Sequence, residues 1–250
     1  MFEMNGARVV ITGAAGGVGG ALCRSFAATG ARIVGCDRTT DGIPELCAES
    51  HGFDLADADA VAAAGQAILA GGVPDVLISN AGWTRAEVLK DVTPDAFTAE
   101  MDGNFSGPAR LCMDLLPAMR EAPGNRSIVF VLSVNAQAHF GNPVYAAAKA
   151  AGMAWVRAIA AEEGRHGIRA NAVIPASIRT NAWTHRIAAD PEVLNRLSAL
   201  YPLGRIVTPQ EVANAVLFLA SPLASGITGT SLNVDAGLMA GNLPFIEAIT

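Results

Sequence analysis

Short apolar runs alternate with longer alanine-rich segments along this 250-residue chain, and this alternation restricts its fold more than any other feature. The apolar runs have few polar interruptions, which is typical of parallel strands covered on both faces. Strand, helix and strand repeated in this way, with right-handed crossovers, build an open α/β sheet with helices on either side. We therefore predict a doubly wound parallel sheet of about seven strands.

The predicted elements follow one another without a break. The predicted strands are Arg8–Thr12, Arg32–Cys36, His51–Phe53, Asp75–Ser79, Ser127–Ser133, Arg169–Ile174 and Ser231–Val234. The predicted helices are Val18–Ala28, Asp57–Ala70, Pro94–Met119, Val144–Gly164 and Pro209–Leu219. No shift in composition marks a linker, so we expect residues 1–250 to form a single domain. Residues 176–205 are the least regular part, and an excursion of that length usually acts as a lid over a site.

Charge and composition argue against several classes of protein. The net charge is −6 and the basic residues are scattered, so no stripe of Lys and Arg is available for nucleic acid. No apolar run approaches the ~20 residues of a membrane span. The four cysteines, Cys23, Cys36, Cys47 and Cys112, form no metal-binding pattern and are expected to be free thiols. No leader segment is visible, so we expect a cytoplasmic location.

A glycine-rich segment follows the first predicted strand and opens the first predicted helix. It reads Thr12-Gly13-Ala14-Ala15-Gly16-Gly17-Val18-Gly19-Gly20. Glycines at such a turn let the backbone approach a pyrophosphate, and the N–H groups of the helix N-terminus then bind the anion. The segment lacks the Gly-Lys-Ser/Thr ending of a nucleotide triphosphatase loop. It therefore predicts a dinucleotide site that includes Gly13, Gly17, Val18 and Gly19.

An acidic residue ends the second predicted strand about twenty residues later. The carboxylate of Asp37 is placed to accept both ribose hydroxyls of the adenosine and to repel a 2′-phosphate, which favours NAD over NADP. Arg38 leaves NADP open, because a guanidinium at this position can pair with that phosphate. No basic residue lies inside the glycine-rich segment, so we predict NAD as the cofactor.

Three polar groups are predicted to meet at the edge of the sheet where the strands end. Tyr145 and Lys149 are four residues apart on a predicted helix, and a lysine cation near a phenol lowers the pKa of that phenol toward neutrality. Ser133 ends the strand before this helix. Asn80-Ala81-Gly82 ends the preceding strand at the same edge, where ligands bind in open α/β sheets.

From Thr12 to Gly237 the chain resembles the short-chain dehydrogenase/reductase family in its short, single-domain branch, which has a Rossmann fold. The resemblance is carried by Thr12, Gly13, Gly17 and Gly19, by Asn80-Ala81-Gly82, and by Ser133, Tyr145 and Lys149. It implies that Asp54 and Leu55 bind adenine, and that Pro175, Ile178 and Thr180 hold the nicotinamide amide. It also implies that Asn104 holds a water in a proton relay.

The resemblance further implies a mechanism. Tyr145 takes the hydroxyl proton of an alcohol while a hydride passes to NAD, Ser133 holds the substrate oxygen, and Lys149 binds the nicotinamide ribose and lowers the pKa of Tyr145. The chain departs from the family pattern at Ser79, Ala148, Ala176 and Ala236. Ala176 and Ala236 stand where the family commonly has glycine, which puts the geometry of two loops in doubt and leaves the reaction class unchanged.

The substrate is predicted from less regular segments. Asn135, Gln137 and Trp183, with Trp83 after Asn80-Ala81-Gly82, are expected near Ser133 and Tyr145, and such polar residues favour a polyol, sugar or hydroxy acid. The same fold suits a 3-oxoacyl thioester reductase, a steroid-type alcohol dehydrogenase or a non-catalytic NAD-binding regulator, and these alternatives stay open. A sugar-nucleotide epimerase generally needs a longer chain. By family analogy we expect a homotetramer, or a homodimer, that binds a small alcohol or ketone and neither nucleic acid nor membrane.

Overall fold

The computed structural model describes residues 3–84, 88–180 and 183–250, and within them seven strands form one parallel sheet. The strands are β1 (Arg8–Thr12), β2 (Arg32–Asp37), β3 (Glu49–Gly52), β4 (Val76–Ser79), β5 (Arg126–Val131), β6 (Ile168–Pro175) and β7 (Ser231–Val234). Their order is β3-β2-β1-β4-β5-β6-β7, so the direction of winding reverses between β1 and β4. This is the predicted doubly wound sheet, and ligands bind at such a reversal.

Helices cover both faces of the sheet. They are α1 (Gly17–Ala27), α2 (Ala58–Ala70), α3 (Pro94–Met101), α4 (Gly107–Glu121), α5 (Pro143–Glu163), α6 (Thr184–Ala189), α7 (Val193–Ser198), α8 (Pro209–Ala220) and α9 (Leu243–Ile249). On one face, buried side chains of α2, α4 and α5 pack against the sheet. On the other face, α1 and α8 do so, for example through Phe26 and Val216. The strands between these layers are buried on both sides, which explains their uninterrupted apolar sequences.

The helix predicted over Pro94–Met119 is wrong as a single α-helix. It divides into α3 and α4 around a π-helical turn, Asp102–Ser106. Pro108 has no backbone N–H and therefore cannot donate the α-helical hydrogen bond to the carbonyl of Asn104. A local change of helical pitch at this point is the expected response, and π turns of this kind often occur at functional sites.

The prediction that β5 runs to Ser133 is also wrong. The strand ends at Val131, and Ser133 instead begins a short 3₁₀ turn over Val134–Ala136. Its hydroxyl accepts a hydrogen bond of 3.2 Å from the backbone N–H of Asn135. Serine favours such local bonds over strand pairing, which releases the residue from the sheet and points its hydroxyl along the edge where the strands end.

Residues 176–205 contain two short helices, α6 and α7, within the predicted lid. A single bridge between Ile178 and Val207 joins the two ends of this segment. The buried hydroxyl of Tyr201 accepts a hydrogen bond of 3.2 Å from the N–H of Ser177. The segment is therefore anchored at its base, and its opening and closing stay a prediction.

None of the helices in the described part of the chain is both long enough and apolar enough to cross a membrane.

Candidate active site

A cleft of about 930 Å³ lies at the carboxyl ends of the strands, where the winding of the sheet reverses. All the residues predicted to bind the cofactor line it: Gly13, Gly17, Val18, Gly19, Asp37, Arg38, Asp54, Leu55, Asn80, Ala81, Gly82, Tyr145, Lys149, Pro175, Ile178 and Thr180. Ser133 lines the same cleft. The structure therefore gathers residues from seven separate chain segments into one continuous surface.

A second cleft of about 750 Å³ lies at the amino ends of the strands. Its two arginines are already engaged with backbone carbonyls. Arg126 donates to the carbonyls of Ala122, Pro123 and Gly124, and Arg169 donates to four carbonyls around the end of α8. These cations hold the loops together, so the first cleft is the better candidate for chemistry.

The glycines of this turn let its backbone pack closely on itself and on the end of β4. Gly13 has φ +70°, and a Cβ there would come within 2.9 Å of the Cα of Ala81. A Cβ on Gly19 would lie 1.9 Å from the carbonyl oxygen of Gly13. The first residue before α1, Gly16, offers no side chain to cap the helix, so the first-turn N–H groups remain available for an anion.

Thr12 clamps this turn to the end of β4. Its hydroxyl accepts hydrogen bonds of 3.0 Å from the N–H groups of Asn80 and of Ala81. In return, the Asn80 amide donates to the carbonyl of Thr12 at 2.9 Å. This role of Thr12 could not be predicted from the sequence, because the bond to Asn80 joins residues that are 68 positions apart.

The carboxylate of Asp37 is held at one end of the cleft. One oxygen accepts the N–H of Ala15 at 3.0 Å, and the other accepts the N–H of Arg38 at 2.8 Å. Each oxygen keeps a second lone pair for a further hydrogen-bond donor. The side chain of Arg38 is exposed beside it. The negative charge therefore has a fixed position next to the glycine-rich turn.

At the other end, Ser133, Tyr145 and Lys149 come together. Tyr145 lies in the first turn of α5 and Lys149 in the next, with the Lys149 Nζ 5.4 Å from the centre of the Tyr145 ring. The Nζ also donates a hydrogen bond of 3.3 Å to the carbonyl of Val131. The Ser133 hydroxyl is close enough to the Tyr145 phenol to lower the pKa of that phenol. Serine, phenol and ammonium thus form one polar group in a largely apolar wall.

Burial controls the protonation of this group. It raises the pKa of Tyr145 to about 12, an effect that the Ser133 hydroxyl opposes and the charge of Glu100 increases. The prediction that Lys149 lowers the pKa of Tyr145 toward neutrality is therefore wrong for this structure, because burial outweighs the groups that favour the phenolate. Burial lowers the pKa of Lys149 to about 8. The phenol is therefore protonated at neutral pH, and the ammonium beside it loses its proton only a little above neutrality. Shifted values of this size on adjacent groups in a cleft are typical of acid–base sites.

Asn104 lies behind the cleft in the π-helical turn and is buried. Its amide oxygen accepts the N–H of Trp83 at 3.1 Å, and its amide nitrogen donates to the carbonyls of Trp83 and Glu100 at 2.8 and 2.9 Å. A Cβ on Gly82 would lie 3.0 Å from this amide oxygen and 3.1 Å from the Lys149 Nζ. Both amide protons are used, so the side chain fixes the backbone beside Lys149, and its role in a water relay stays a prediction.

Of the residues predicted to bind substrate, Ser133 and Tyr145 line the cleft, as does Trp83, whereas Asn135, Gln137 and Trp183 do not line the part of it that the structure describes. Asn135 donates to the carbonyl of Gly141 at 3.2 Å, and Trp183 donates through its indole to the carbonyl of Ile178 at 2.9 Å. Gln137 exchanges two amide hydrogen bonds of 3.1 Å with Asn233. Their contact with a substrate therefore stays a prediction.

Sequence reasoning missed other residues that do line the cleft. Ala99 and Gly103, four residues apart before Asn104, face it together with Trp83. A Cβ on Gly103 would come within 2.7 Å of the Trp83 indole nitrogen, so the glycine makes room for the ring. The sequence signal that could have identified them is the pair of small residues at helical spacing just before Asn104.

Comparison with known proteins extends over nearly the whole chain. The profile of a family described as "Enoyl-(Acyl carrier protein) reductase" matches residues 13–239. An uncharacterized oxidoreductase of Schizosaccharomyces pombe is 36% identical over 249 residues, which is 99% of this chain and 96% of the relative. A D-threitol dehydrogenase of Mycolicibacterium smegmatis is 31% identical over 246 residues, or 94% of each protein.

The fold is equally similar to that of solved structures. The crystal structure of an oxidoreductase from Burkholderia thailandensis has a TM-score of 0.90 and 38% identity, and the alignment covers 98% of both chains. The region matched by the family profile contains every predicted site residue, from Gly13 to Trp183. The similarity therefore includes both ends of the cleft.

Proposed function

The chain belongs to the short-chain dehydrogenase/reductase family, and we propose that it uses NAD to interconvert a secondary alcohol and a ketone of a small polar substrate. Membership of this family and the activities of its relatives indicate an alcohol/ketone oxidoreductase that uses a nicotinamide cofactor. The observation that carries the proposal is the shared cleft. A glycine-rich turn lies at one end of it, and Ser133, Tyr145 and Lys149 lie together at the other.

The protein's own groups handle the proton. In the oxidation direction, Tyr145 takes the proton of the substrate hydroxyl as the phenolate, and in the reduction direction the Tyr145 phenol, the form present at neutral pH, gives its proton to the substrate oxygen. The Ser133 hydroxyl holds the substrate oxygen, and the buried Lys149 cation stabilises the phenolate that forms. When bound, NAD supplies the hydride chemistry that no side chain can supply. Acid–base assistance of this kind contributes about 10²–10⁴-fold to a rate.

The described cleft fits a dinucleotide. Gly13 and Gly19 let the turn pack closely on itself and on the end of β4, and the first turn of α1 has no side-chain cap. Asp37, which has a free lone pair on each carboxylate oxygen, supports NAD because it can accept the ribose hydroxyls and repels a 2′-phosphate. The exposed Arg38 is the feature that would support NADP instead.

The substrate class is inferred from the activity of a relative. The relative from Mycolicibacterium smegmatis is a D-threitol dehydrogenase, which supports a polyol, sugar or hydroxy acid for this chain. A relative in Escherichia coli, a 3-oxoacyl-[acyl-carrier-protein] reductase that is 31% identical over 244 residues, supports a second candidate, a 3-oxoacyl thioester reductase. Discrimination between them needs assays with polyols and hydroxy acids on one side and a 3-oxoacyl thioester on the other.

The experiment that tests the proposal follows nicotinamide absorbance with purified protein. Secondary alcohols, polyols and hydroxy acids are offered with NAD and with NADP, and a 3-oxoacyl thioester is offered with both reduced cofactors. Turnover of a small polar alcohol that is faster with NAD supports the proposal. Turnover of the thioester alone supports the second candidate, and binding of NAD with no turnover on any compound supports a regulatory protein.

Assembly, location and lid movement also stay proposals. We propose a homotetramer or a homodimer. Apolar side chains that are exposed on α4 and α9 of the single chain support this assembly, among them Met113, Phe245 and Ile249. We further propose a single domain over residues 1–250, with residues 176–205 closing over the cleft, and a cytoplasmic location.

A further inference from the structure

Two cysteines lie side by side outside the active cleft. Cys23 is on α1, and Cys47 is in the segment that connects β2 to β3. Their sulfur atoms are 3.8 Å apart, and both thiols are free. A disulfide bond is about 2.05 Å long, so the two sulfurs need to approach by less than about 2 Å to form one.

The packing around Cys47 keeps its sulfur at this position. A Cβ on Gly35 of β2 would lie 3.0 Å from the Cys47 sulfur, so the thiol lies directly against the strand. The Cys47 N–H donates to the carbonyl of Pro44 at 2.9 Å, and the next N–H, of Ala48, donates to the carbonyl of Ile33 at 2.9 Å. The backbone is thus anchored on both sides of the cysteine.

The two thiols differ in exposure and in acidity. Cys23 is fully buried, whereas Cys47 is only half-buried and so reaches solvent. The hydrogen bond between them lowers the pKa of Cys47 and raises the pKa of Cys23, which burial raises further. Since the thiolate is the reactive form, an oxidant meets Cys47 first and Cys23 second.

We propose that Cys23 and Cys47 are a site of reversible oxidation by peroxide. The Cys47 thiolate attacks a peroxide oxygen, so that an S–O bond forms, the O–O bond breaks and the leaving hydroxide takes a proton to become water. The Cys23 sulfur then attacks the Cys47 sulfenic acid, an S–S bond forms, and the S–O bond breaks with loss of a second water. In total, two thiols and one hydrogen peroxide give one disulfide and two waters, and the sulfurs supply both electrons.

The cross-link would join two elements that border the adenosine end of the cleft. α1 begins at the glycine-rich turn, and the segment that carries Cys47 begins just after Asp37. A bond between residues 23 and 47 closes a loop in the unfolded chain, and loops of this kind are expected to stabilise the folded chain. Oxidation should therefore raise the midpoint of thermal unfolding.

The test uses the full chain treated with hydrogen peroxide, after which free thiols are blocked and counted by intact mass. We expect the number of free thiols to fall from four to two, dithiothreitol to restore four, and peptide mapping to find Cys23 linked to Cys47. The Cys47→Ser variant should keep its three remaining thiols in the same treatment, because the cysteine that reacts first is absent. Cys36→Ala, which removes a buried thiol of β2, is the matched control and should still form the cross-link.

Three outcomes would overturn the proposal. They are retention of all four thiols, oxidation of Cys47 to a sulfinic acid without a disulfide, and a disulfide between other cysteines or between chains. An unchanged unfolding midpoint in cross-linked protein would contradict the expected stabilisation alone. If Cys47→Ser fails to fold, the mapping of the wild-type peptides decides the question alone.

Discussion

The ammonium of Lys149 lies 5.4 Å from the centre of the Tyr145 ring and is tied at 3.3 Å to the carbonyl of Val131, the last residue of β5. One contact therefore connects the helix that carries the phenol to the strand that leads to Ser133. Because the ammonium is almost fully buried, its charge has a measurable cost to the fold.

That cost predicts a pH-dependent stability. Burial lowers the pKa of Lys149 to about 8 from 10.5, so between about pH 8 and pH 10.5 the unfolded chain holds a proton that the folded chain has lost. The contribution of Lys149 to the free energy of unfolding therefore rises with pH in this window. Relative to Lys149→Met, the wild type should gain about 1 kcal/mol between pH 7 and pH 9 in urea unfolding.

The comparison with Lys149→Met removes the contribution of the four cysteines, because that contribution is the same in both proteins. Lys90→Met, at an exposed position, is the matched control and should give a difference that does not change with pH. A constant difference between the wild type and Lys149→Met from pH 7 to pH 9 would show that Lys149 is not buried as described.

The charge of Asp37 predicts cofactor preference. In Asp37→Ser the carboxylate that repels a 2′-phosphate is gone, and such a repulsion at about 4 Å is worth roughly 1–4 kcal/mol. The ratio of kcat/KM for NADP to that for NAD should therefore rise by about tenfold or more. Asp54→Ser, at the other acidic residue of this end, should leave that ratio unchanged. A wild type that prefers NADP would contradict the role given to Asp37.

A strained alanine predicts a stabilising substitution. Ala236 has φ +51°, and among the described residues other than glycine it shares a positive φ only with Asn142. The left-handed backbone conformation destabilises an alanine by roughly 1–2 kcal/mol, and glycine removes this strain. Glycine also increases the conformational entropy of the unfolded chain, which offsets part of the gain. Ala236→Gly should therefore raise the free energy of unfolding by roughly 0.5–1 kcal/mol.

Ala176→Gly is the matched control, because this alanine also stands where the family commonly has glycine and yet its φ lies outside the positive region. Urea unfolding should show no gain for it, or a loss. Equal effects of the two substitutions would mean that the backbone at Ala236 is not strained.

The features predicted correctly from the sequence depend on local patterns. The uninterrupted apolar runs predict strands buried on both faces, and a glycine-rich turn after the first of them predicts where the cleft begins. The predicted ends of a helix and of a strand were wrong where a single residue overrides the local hydrophobic pattern. Pro108 interrupts an otherwise regular helix, and Ser133 forms a local turn in place of a last strand residue.

Side-chain pairing over long distances could not be predicted. Gln137 satisfies its amide with Asn233, 96 residues away, and Thr12 accepts two N–H groups from residues 68 and 69 positions later. No periodicity in the chain specifies such partners, because the order of the strands in the folded sheet determines which strand ends lie next to each other. The residues predicted from polarity alone, Asn135 and Gln137, are accordingly the ones that the structure places outside the cleft.

The most direct test of the central claim compares the only two tyrosines of the chain. Tyr145→Phe removes the phenol that carries the proton, and Tyr201→Phe removes a buried hydroxyl that bonds to the backbone of Ser177. With the best substrate of the alcohol panel, we predict that kcat falls by about 10²-fold or more in Tyr145→Phe, with NAD affinity measured by calorimetry unchanged. Tyr201→Phe should retain most of its activity. Wild-type turnover in Tyr145→Phe would contradict the account.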